Sequence, residues 1–321
     1  MANCGVSSSD TPTTRDVPAR DIFARGYQRD RERMFFWMLA PAALLIVALV
    51  AYPILAMTNF AFQDVELFDL MKDNPSEYTT RNFVRLFSDP RTGNMFRVTA
   101  IFVFVGTAVA FFWGLATALL LDRAFPGRAA VRMLIVSPWA VAAVVASLSW
   151  MFLLNTETGL VNYFLLSAGI VDRPVNFLGS VTTALPTVIF VSAWKSYPFF
   201  TVMLMAGLNA VPRDALDAAR LDGANPVTSF FWVTLPAIRP VIAISLPLSL
   251  LSSFREIETI FALTKGGPGR ATETAAMAVY NQAFQFFEVG RASALGVVVF
   301  VICLVLVLFS LRVLQEGRPR T

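Results

Sequence analysis

The chain alternates between long apolar stretches and shorter polar segments. A helix crosses the hydrocarbon core of a bilayer with about 20 mainly apolar residues. Six stretches of this kind occur: Phe35–Thr58, Thr99–Leu121, Met133–Leu154, Thr183–Leu208, Ile238–Phe261 and Ala294–Leu314. The pattern predicts an all-α integral membrane protein with six transmembrane helices. We expect a kink in the fifth at Pro240 and Pro247, because neighbouring helices can satisfy the backbone groups that a proline frees.

The composition indicates that the bilayer is the solvent. Hydrophobic residues make up 56% of the 321 residues, and the mean hydropathy is +0.62. Charged residues make up 15%, against roughly 25% in typical soluble domains. The net charge of +4 comes from basic residues that flank the apolar stretches. This placement is typical of orientation signals and does not indicate nucleic-acid binding.

The N-terminal region predicts an uncleaved first helix. About 30 mostly polar residues precede the first apolar stretch, which is longer than the roughly 7–15 apolar residues of a signal peptide. We therefore expect a cytoplasmic tail at 1–34, a six-span domain at 35–314 and a short cytoplasmic tail at 315–321.

The basic residues predict that both termini lie in the cytoplasm. With this orientation, the short loop Asp122–Arg132 is cytoplasmic and carries Arg123, Arg128 and Arg132. The external loops carry fewer basic residues, and acidic residues balance them in the first external loop. Short loops beside the spans give the clearest orientation signal.

Several classes of chemistry lack the residues that they need. The sequence has no histidine, which excludes imidazole metal ligands and histidine-based catalysis. Cys4 lies in the polar tail and Cys303 in an apolar stretch, so we expect no structural disulfide. Lys72, Lys195 and Lys265 all lie outside Gly-Lys-Ser or Gly-Lys-Thr motifs, so the chain has no P-loop. We expect neither an enzyme nor a bound cofactor or metal.

A polar segment at 212–236, between the fourth and fifth stretches, predicts a helix–turn–helix. Its alanine-rich first half favours a short helix. Gly223 can adopt the positive φ of a helix C-terminus, and Asn225 before Pro226 is typical of a helix start. We expect the second helix to end before Pro236.

The same segment resembles the Glu-Ala-Ala loop of permeases from binding-protein-dependent importers. Where the family has glutamate and isoleucine, this chain has Asp217 and Val233, and both replacements are conservative. In that family, the loop forms the coupling helix, which docks in a groove on the ATP-hydrolysing subunit. The resemblance implies this role for Asp217, Ala218, Ala219, Gly223, Asn225, Pro226, Val233, Leu235 and Pro236. The alternative is an amphipathic hairpin without this partner.

Further segments resemble the sugar-transporting, maltose-permease-like branch of the family. They include Pro138-Trp139, Gly159-Leu-Val-Asn162 and, most specifically, Leu263–Gly269. The resemblance implies the type I ABC importer permease fold, which has six transmembrane helices and a cytoplasmic helix–turn–helix coupling loop. The implied function is translocation of a sugar or related polyol that an external solute-binding protein delivers.

The resemblance also implies partners. These are a second permease subunit in a heterodimer, two ATP-binding subunits that hold ATP and Mg, the external solute-binding protein and the lipid of a bacterial cytoplasmic (inner) membrane. No nucleic acid is expected as a partner.

Ionisable residues inside the predicted spans mark a candidate substrate pathway. Each costs roughly 3 kcal/mol at the centre of a helix, so it is expected to serve a pathway or a pair. Lys195 lies in the fourth span, and Arg255 and Glu256 lie in the fifth. In maltose-type permeases, the corresponding stretches line the sugar site. The resemblance implies a pathway that includes Trp194, Lys195, Ser196, Tyr197, Ser249, Ser253, Arg255 and Glu256.

Three alternatives remain open at this point. Lys195 and Glu256 are also suited to a structural ion pair, and Trp194 and Tyr197 to interfacial anchors. The cations Lys195 and Arg255 also admit an anionic solute, such as a glycerophosphodiester or a sulfonated sugar. A different class is a self-sufficient ion-coupled secondary transporter, which usually has internal repeats and more spans.

Overall fold

The computed structural model describes residues 19–69 and 77–316. Fourteen α-helices lie in these ranges: α1 Ala19–Ala61, α2 Arg81–Ser88, α3 Pro90–Ala100, α4 Gly106–Asp122, α5 Arg128–Ala140, α6 Ala143–Leu153, α7 Leu160–Ser167, α8 Ala184–Asn209, α9 Arg213–Leu221, α10 Pro226–Ser229, α11 Leu235–Phe254, α12 Glu258–Leu263, α13 Ala275–Tyr280 and α14 Val289–Glu316. Three π-helical segments continue them, at Ile101–Val105, Phe230–Thr234 and Asn281–Gln285. The predicted all-α class is confirmed.

The chain divides into two compact units, Met1–Ala56 and Met57–Thr321. The described part of the first unit belongs to α1. Apolar side chains along it, such as Leu44 and Leu49, are exposed. A helix with such a surface is stable only in apolar surroundings, as expected for a segment in the bilayer.

Five helical segments of the described ranges are long and apolar enough to cross a bilayer: Met34–Ala61, Pro90–Asp122, Ala184–Asn209, Pro226–Phe254 and Val289–Ser310. The pair α5 and α6 passes the same test as one broken span. If α5 and α6 are counted as one span, the described residues contain six spans, as predicted.

The sequence predicts the third span as one continuous helix over Met133–Leu154, but the structure divides it into α5 and α6. The chain bends by 102° between α5 and α6, where Val141 and Ala142 are extended. Pro138 contributes to this break because it lacks an N–H group and cannot bond to the carbonyl of Leu134. The hydroxyl of Ser137 donates to that carbonyl instead, at 2.9 Å.

Close packing of α4 against α8 forms the centre of the second unit. At Gly114, an added Cβ would meet the Cβ of Phe200 and would lie 2.9 Å from the carbonyl oxygen of Tyr197. The hydroxyls of Thr117 and Thr201 are 2.6 Å apart and share a hydrogen bond. The glycine thus allows a near-contact of the two backbones, which fixes the position of α8.

Asp89 connects the start of α3 to α14. Its carboxylate accepts a hydrogen bond from the backbone N–H of Arg91 at 2.9 Å and one from the Arg291 guanidinium at 3.0 Å. The hydrogen bond from Arg91 is the largest cause that holds the pKa of the Asp89 carboxyl below its ordinary value, and the nearby charges of Arg91 and Arg291 act in the same direction. Asp89 is therefore both a helix cap and half of an ion pair.

We expect Asp89→Ala to destabilise the purified protein by about 1 kcal/mol, because it removes the cap and the ion pair together. Asp89→Asn should cost less, since the amide oxygen can still cap the helix. The folded-state pKa lies below the unfolded value, so this stabilisation is complete above the unfolded pKa and is lost as the pH falls through the folded pKa. Thermal unfolding at neutral and acidic pH measures both effects.

Asp64→Ala is the matched control. Asp64 is half exposed, and its ion-pair partners Arg81 and Arg85 are exposed as well. Exposed ion pairs contribute little stability, so the melting temperature should hardly change. An Asp89→Ala deficit that stays the same size at every pH would contradict the assigned role of the charge.

Candidate functional site

A cavity of about 770 Å³ lies beside α8 and α11. This volume is within the usual range for small-molecule sites, roughly 300–1,000 Å³. Ser192, Lys195, Ser196 and Phe199 line it from α8. Their spacing follows one helix face, since residues three and four apart are neighbours on a helix. The other lining residues are Trp139, Leu248, Ser249, Leu251, Ser252, Ser253, Arg255 and Glu256.

Six of the eight residues predicted for the substrate pathway line this cavity: Lys195, Ser196, Ser249, Ser253, Arg255 and Glu256. The two predicted aromatic residues do not. The ring of Trp194 packs edge-on against Trp150, with centroids 5.4 Å apart. Tyr197 is buried and stacks on Trp113, with centroids 4.7 Å apart. Both aromatic side chains pack within the helix bundle.

The polar groups of the cavity have local partners. The Lys195 ammonium donates to the carbonyl oxygen of Val141 at 3.0 Å. Glu256 accepts hydrogen bonds from the backbone N–H and the hydroxyl of Thr259, at 3.1 and 2.7 Å. Lys195 and Glu256 form no ion pair with each other, so that alternative is wrong. Arg255 forms no ion pair with any carboxylate of the described ranges.

Sequence reasoning left other lining residues out of the predicted pathway: Trp139, Ser192, Phe199, Leu248, Leu251 and Ser252. Ser192 and Phe199 lie three residues before and four residues after Lys195, so the helical repeat places them on the same face. Ser252 is adjacent to a predicted member. The helical repeat around Lys195 does not predict Trp139, because Trp139 belongs to another helix and reaches the cavity at the break of the third span.

The polar segment 212–236 forms the predicted turn between two helices. Gly223 has φ +82° after α9. The side chain of Asn225 accepts a hydrogen bond from the backbone N–H of Thr228 at 2.8 Å, and Pro226 follows in the first turn of α10. Asp217 and Arg220 pair at 2.8 Å on exposed positions. Local sequence chemistry thus fixes the geometry of the turn.

The second helix of this segment does not end before Pro236 as predicted. It continues through the π-helical segment Phe230–Thr234 into α11, so that Pro226–Phe254 is one long helix. Proline inside a helix cannot donate the usual hydrogen bond. The wider π turn directly before Pro236 changes the backbone pairing there, which allows the helix to continue. The helix that contains the fifth predicted span, Ile238–Phe261, consequently begins at Pro226 and ends at Phe254.

Helices long and apolar enough to cross a bilayer, with a solute-sized cavity beside them, are the features of a helical membrane protein. A family model described as "Binding-protein-dependent transport system inner membrane component" matches residues 94–321. The chain belongs to this family, as the sequence predicted. It is accordingly a multi-pass membrane protein and a permease component.

Relatives agree with this assignment. The trehalose/maltose transport system permease protein MalF of Thermococcus litoralis is 34% identical over 75% of this chain and 79% of its own length. The trehalose transport system permease protein SugA of Mycobacterium tuberculosis is 30% identical over 94% of this chain and 95% of its own.

A solved structure shows the same fold. A chain of a bacterial ABC transporter involved in the import of the acidic polysaccharide alginate superposes with a TM-score of 0.77, at 22% identity. The match covers 91% of this chain and 99% of that one. The predicted fold class is confirmed.

Proposed function

We propose that this chain is the permease subunit of an ATP-driven importer that translocates a sugar or a related polyol. The observation that carries the proposal is the cavity between α8 and the end of α11. Serine hydroxyls and charged groups line it together with an exposed indole, and these groups suit the hydroxyls and the apolar C–H face of a sugar. The named substrates of the relatives, trehalose and maltose, support the same class.

The hairpin at 212–236 is proposed to receive the force of ATP hydrolysis. Leu221, Val227 and Trp232 expose 89%, 65% and 79% of their surface on this hairpin. Large apolar side chains on an otherwise polar surface are typical of a docking site. The occupant proposed here is an ATP-binding subunit that also holds Mg, because this chain has no P-loop of its own.

The complete importer would contain a second permease subunit, two ATP-binding subunits and an external solute-binding protein. Both termini of this chain would face the cytoplasm of a bacterium, from the inner membrane. The docking of the hairpin requires this orientation, and the basic residues beside the spans favour it independently.

An anionic solute is the second candidate. Lys195 and Arg255 place two cations at the cavity against the one carboxylate of Glu256. Arg255 has no ion-pair partner in the described ranges, so its guanidinium is available to a phosphate or sulfonate. The structurally similar alginate importer carries an acidic polysaccharide.

Uptake by the reconstituted complex tests the proposal. This chain is inserted in proteoliposomes with the permease, ATPase and binding protein of neighbouring genes, and labelled trehalose, maltose and sn-glycerol 3-phosphate are offered separately. We expect uptake of a sugar that requires both ATP and the binding protein. Uptake driven by an ion gradient without ATP would contradict the proposal.

The same assay separates neutral from anionic solutes. If the solute is neutral, Arg255→Gln should change the uptake of trehalose or maltose by less than about tenfold, since the glutamine amide can still donate a hydrogen bond to a sugar hydroxyl. If it is anionic, sn-glycerol 3-phosphate is the transported probe. Arg255→Gln then reduces its uptake by more than about tenfold, because a charge-assisted pair is lost.

A further inference from the structure

The segment Asp122–Arg132, which joins α4 to α5, is short and strongly basic. It carries Arg123, Arg128 and Arg132 against the single acidic residue Asp122. None of these arginines forms an ion pair with a carboxylate of residues 34–69 and 77–310. Arg128 and Arg132 are four residues apart in the first turns of α5, so they are neighbours on one helix face. Neighbouring like charges repel each other, and a bound anion would relieve this repulsion.

The guanidinium of Arg128 contains a buried donor that lacks a partner. Its Nε is buried, and the described residues offer it no hydrogen-bond acceptor. A buried donor without an acceptor is costly, so such atoms normally meet one. The guanidinium is a rigid fork of donors, and its geometry fits a phosphate group. The acceptor expected here is an anionic oxygen from outside the described chain.

The segment Asp122–Arg132 lies at the edge of the apolar surface. The span Pro90–Asp122 ends where this segment begins, and α5 is the first half of the broken third span. Met133 and Leu134, directly after Arg132, expose 69% and 71% of their surface. Exposed apolar side chains on a span are suited to contact with acyl chains. A ligand that meets both the arginines and these side chains has an anionic head and an apolar tail.

The same segment lies at the end of the bundle that carries the hairpin at 212–236. Along α4 and α8, Gly106 is near Ile189, and Gly114 is near Phe200. Contacts that advance together along both helices show that α4 and α8 run parallel. The segment that follows α4 and the hairpin that follows α8 are therefore at one end. In the proposed orientation, this end faces the cytoplasmic leaflet.

We infer that the segment Asp122–Arg132 binds an anionic phospholipid, whose phosphate group is held by Arg128 and Arg132. Basic groups beside transmembrane helices are suited to anionic headgroups, and the orphaned Nε of Arg128 provides a specific donor. The inference goes beyond the proposed function, because it assigns to this chain a lipid site that requires neither a solute nor an ATP-binding subunit.

Native mass spectrometry of the full-length chain in detergent tests the inference, with phosphatidylglycerol and phosphatidylcholine as probes. The wild-type chain should retain phosphatidylglycerol in preference to phosphatidylcholine, which has no net charge. Arg128→Gln combined with Arg132→Gln should reduce the retained phosphatidylglycerol at least about tenfold, because charge-assisted hydrogen bonds are lost. Phosphatidylglycerol should also raise the melting temperature of the wild-type chain but not of this variant.

Arg81→Gln combined with Arg85→Gln is the matched control. It removes the same charge from exposed side chains, which pair with Asp64 near the opposite end of the span Pro90–Asp122. This variant should retain phosphatidylglycerol like the wild type. If the Arg128 and Arg132 double variant does not fold, Arg132→Gln alone replaces it, because its side chain is exposed.

Four outcomes would overturn the lipid site. The first is equal retention of the two lipids by the wild-type chain, and the second is unchanged retention of phosphatidylglycerol in the Arg128 and Arg132 variant. The third is an equal loss in the control variant, since net charge alone would then explain binding. The fourth is displacement of phosphatidylglycerol by millimolar inorganic phosphate, which would identify a free anion as the ligand.

Copurification with the ATP-binding subunit distinguishes a lipid from a protein partner. If the Arg128 and Arg132 variant loses this subunit but keeps phosphatidylglycerol, the arginines serve the subunit and the inference is wrong. Failure of the importer to transport a sugar would contradict the proposed function alone, because the lipid measurement uses only this chain.

Discussion

Gly114→Ala is expected to destabilise the protein by about 3 kcal/mol, the upper range for overpacking. The added methyl group would meet the Cβ of Phe200 and lie 2.9 Å from the carbonyl oxygen of Tyr197. These atoms belong to the backbone or are fixed directly to it, so they cannot move aside by a change of rotamer. The helices α4 and α8 would have to separate. Thermal unfolding in detergent and the yield of monodisperse protein measure the loss.

Gly106→Ala makes the same chemical change on the same helix. The nearest atom to its added methyl group is Cγ2 of Ile189, at 4.0 Å, which is an ordinary contact. Alanine favours a helix over glycine by up to about 1 kcal/mol, so stability should stay the same or rise. Equal effects of the two substitutions would contradict the close approach of α4 and α8.

Gly223→Val is expected to reduce uptake by at least about tenfold, while the protein still inserts in the membrane. The φ of +82° at this residue is strained for a β-branched side chain, at a cost of about 1–3 kcal/mol. No atom lies within 4 Å of the added Cβ, so the effect comes from the backbone alone. The strained turn would reorient α9 relative to α10. ATP-dependent uptake and copurification with the ATP-binding subunit should both fall.

Two controls accompany Gly223→Val. Gly223→Asn should retain most uptake, because asparagine tolerates the left-handed conformation. Gly127→Val introduces the same strain at φ +82° before α5, outside the hairpin, and should leave coupling intact. Full uptake by Gly223→Val, or equal loss in Gly127→Val, would argue against the hairpin as the site of coupling.

The features that local chemistry determines could be predicted from the sequence. The lengths of the apolar stretches give the spans, since the bilayer sets a minimum length. Asn225 and Gly223 have the conformations that their positions predict, because a cap and a left-handed turn depend on neighbouring residues alone. The spacing of the hairpin also identified the family.

Long-range contacts decide the features that were missed. The break of the third span involves a hydrogen bond between Val141 and Lys195, which lie 54 residues apart. The direction of Trp194 depends on Trp150, which belongs to another helix. Because α8 carries large apolar side chains on several faces, its periodicity alone does not distinguish the face toward the cavity from the face toward the core. These choices require the packed structure.

The continuity of Pro226–Phe254 has a geometric consequence. A helix of 29 residues is about 43 Å long and turns by about 100° per residue. The direction in which Ser249 points therefore depends on the number of residues that separate it from the cap at Asn225 and on the wider turn of the π-helical segment between them. With no loop between the two ends, the hairpin and the serine-lined wall are joined by a continuous helical backbone.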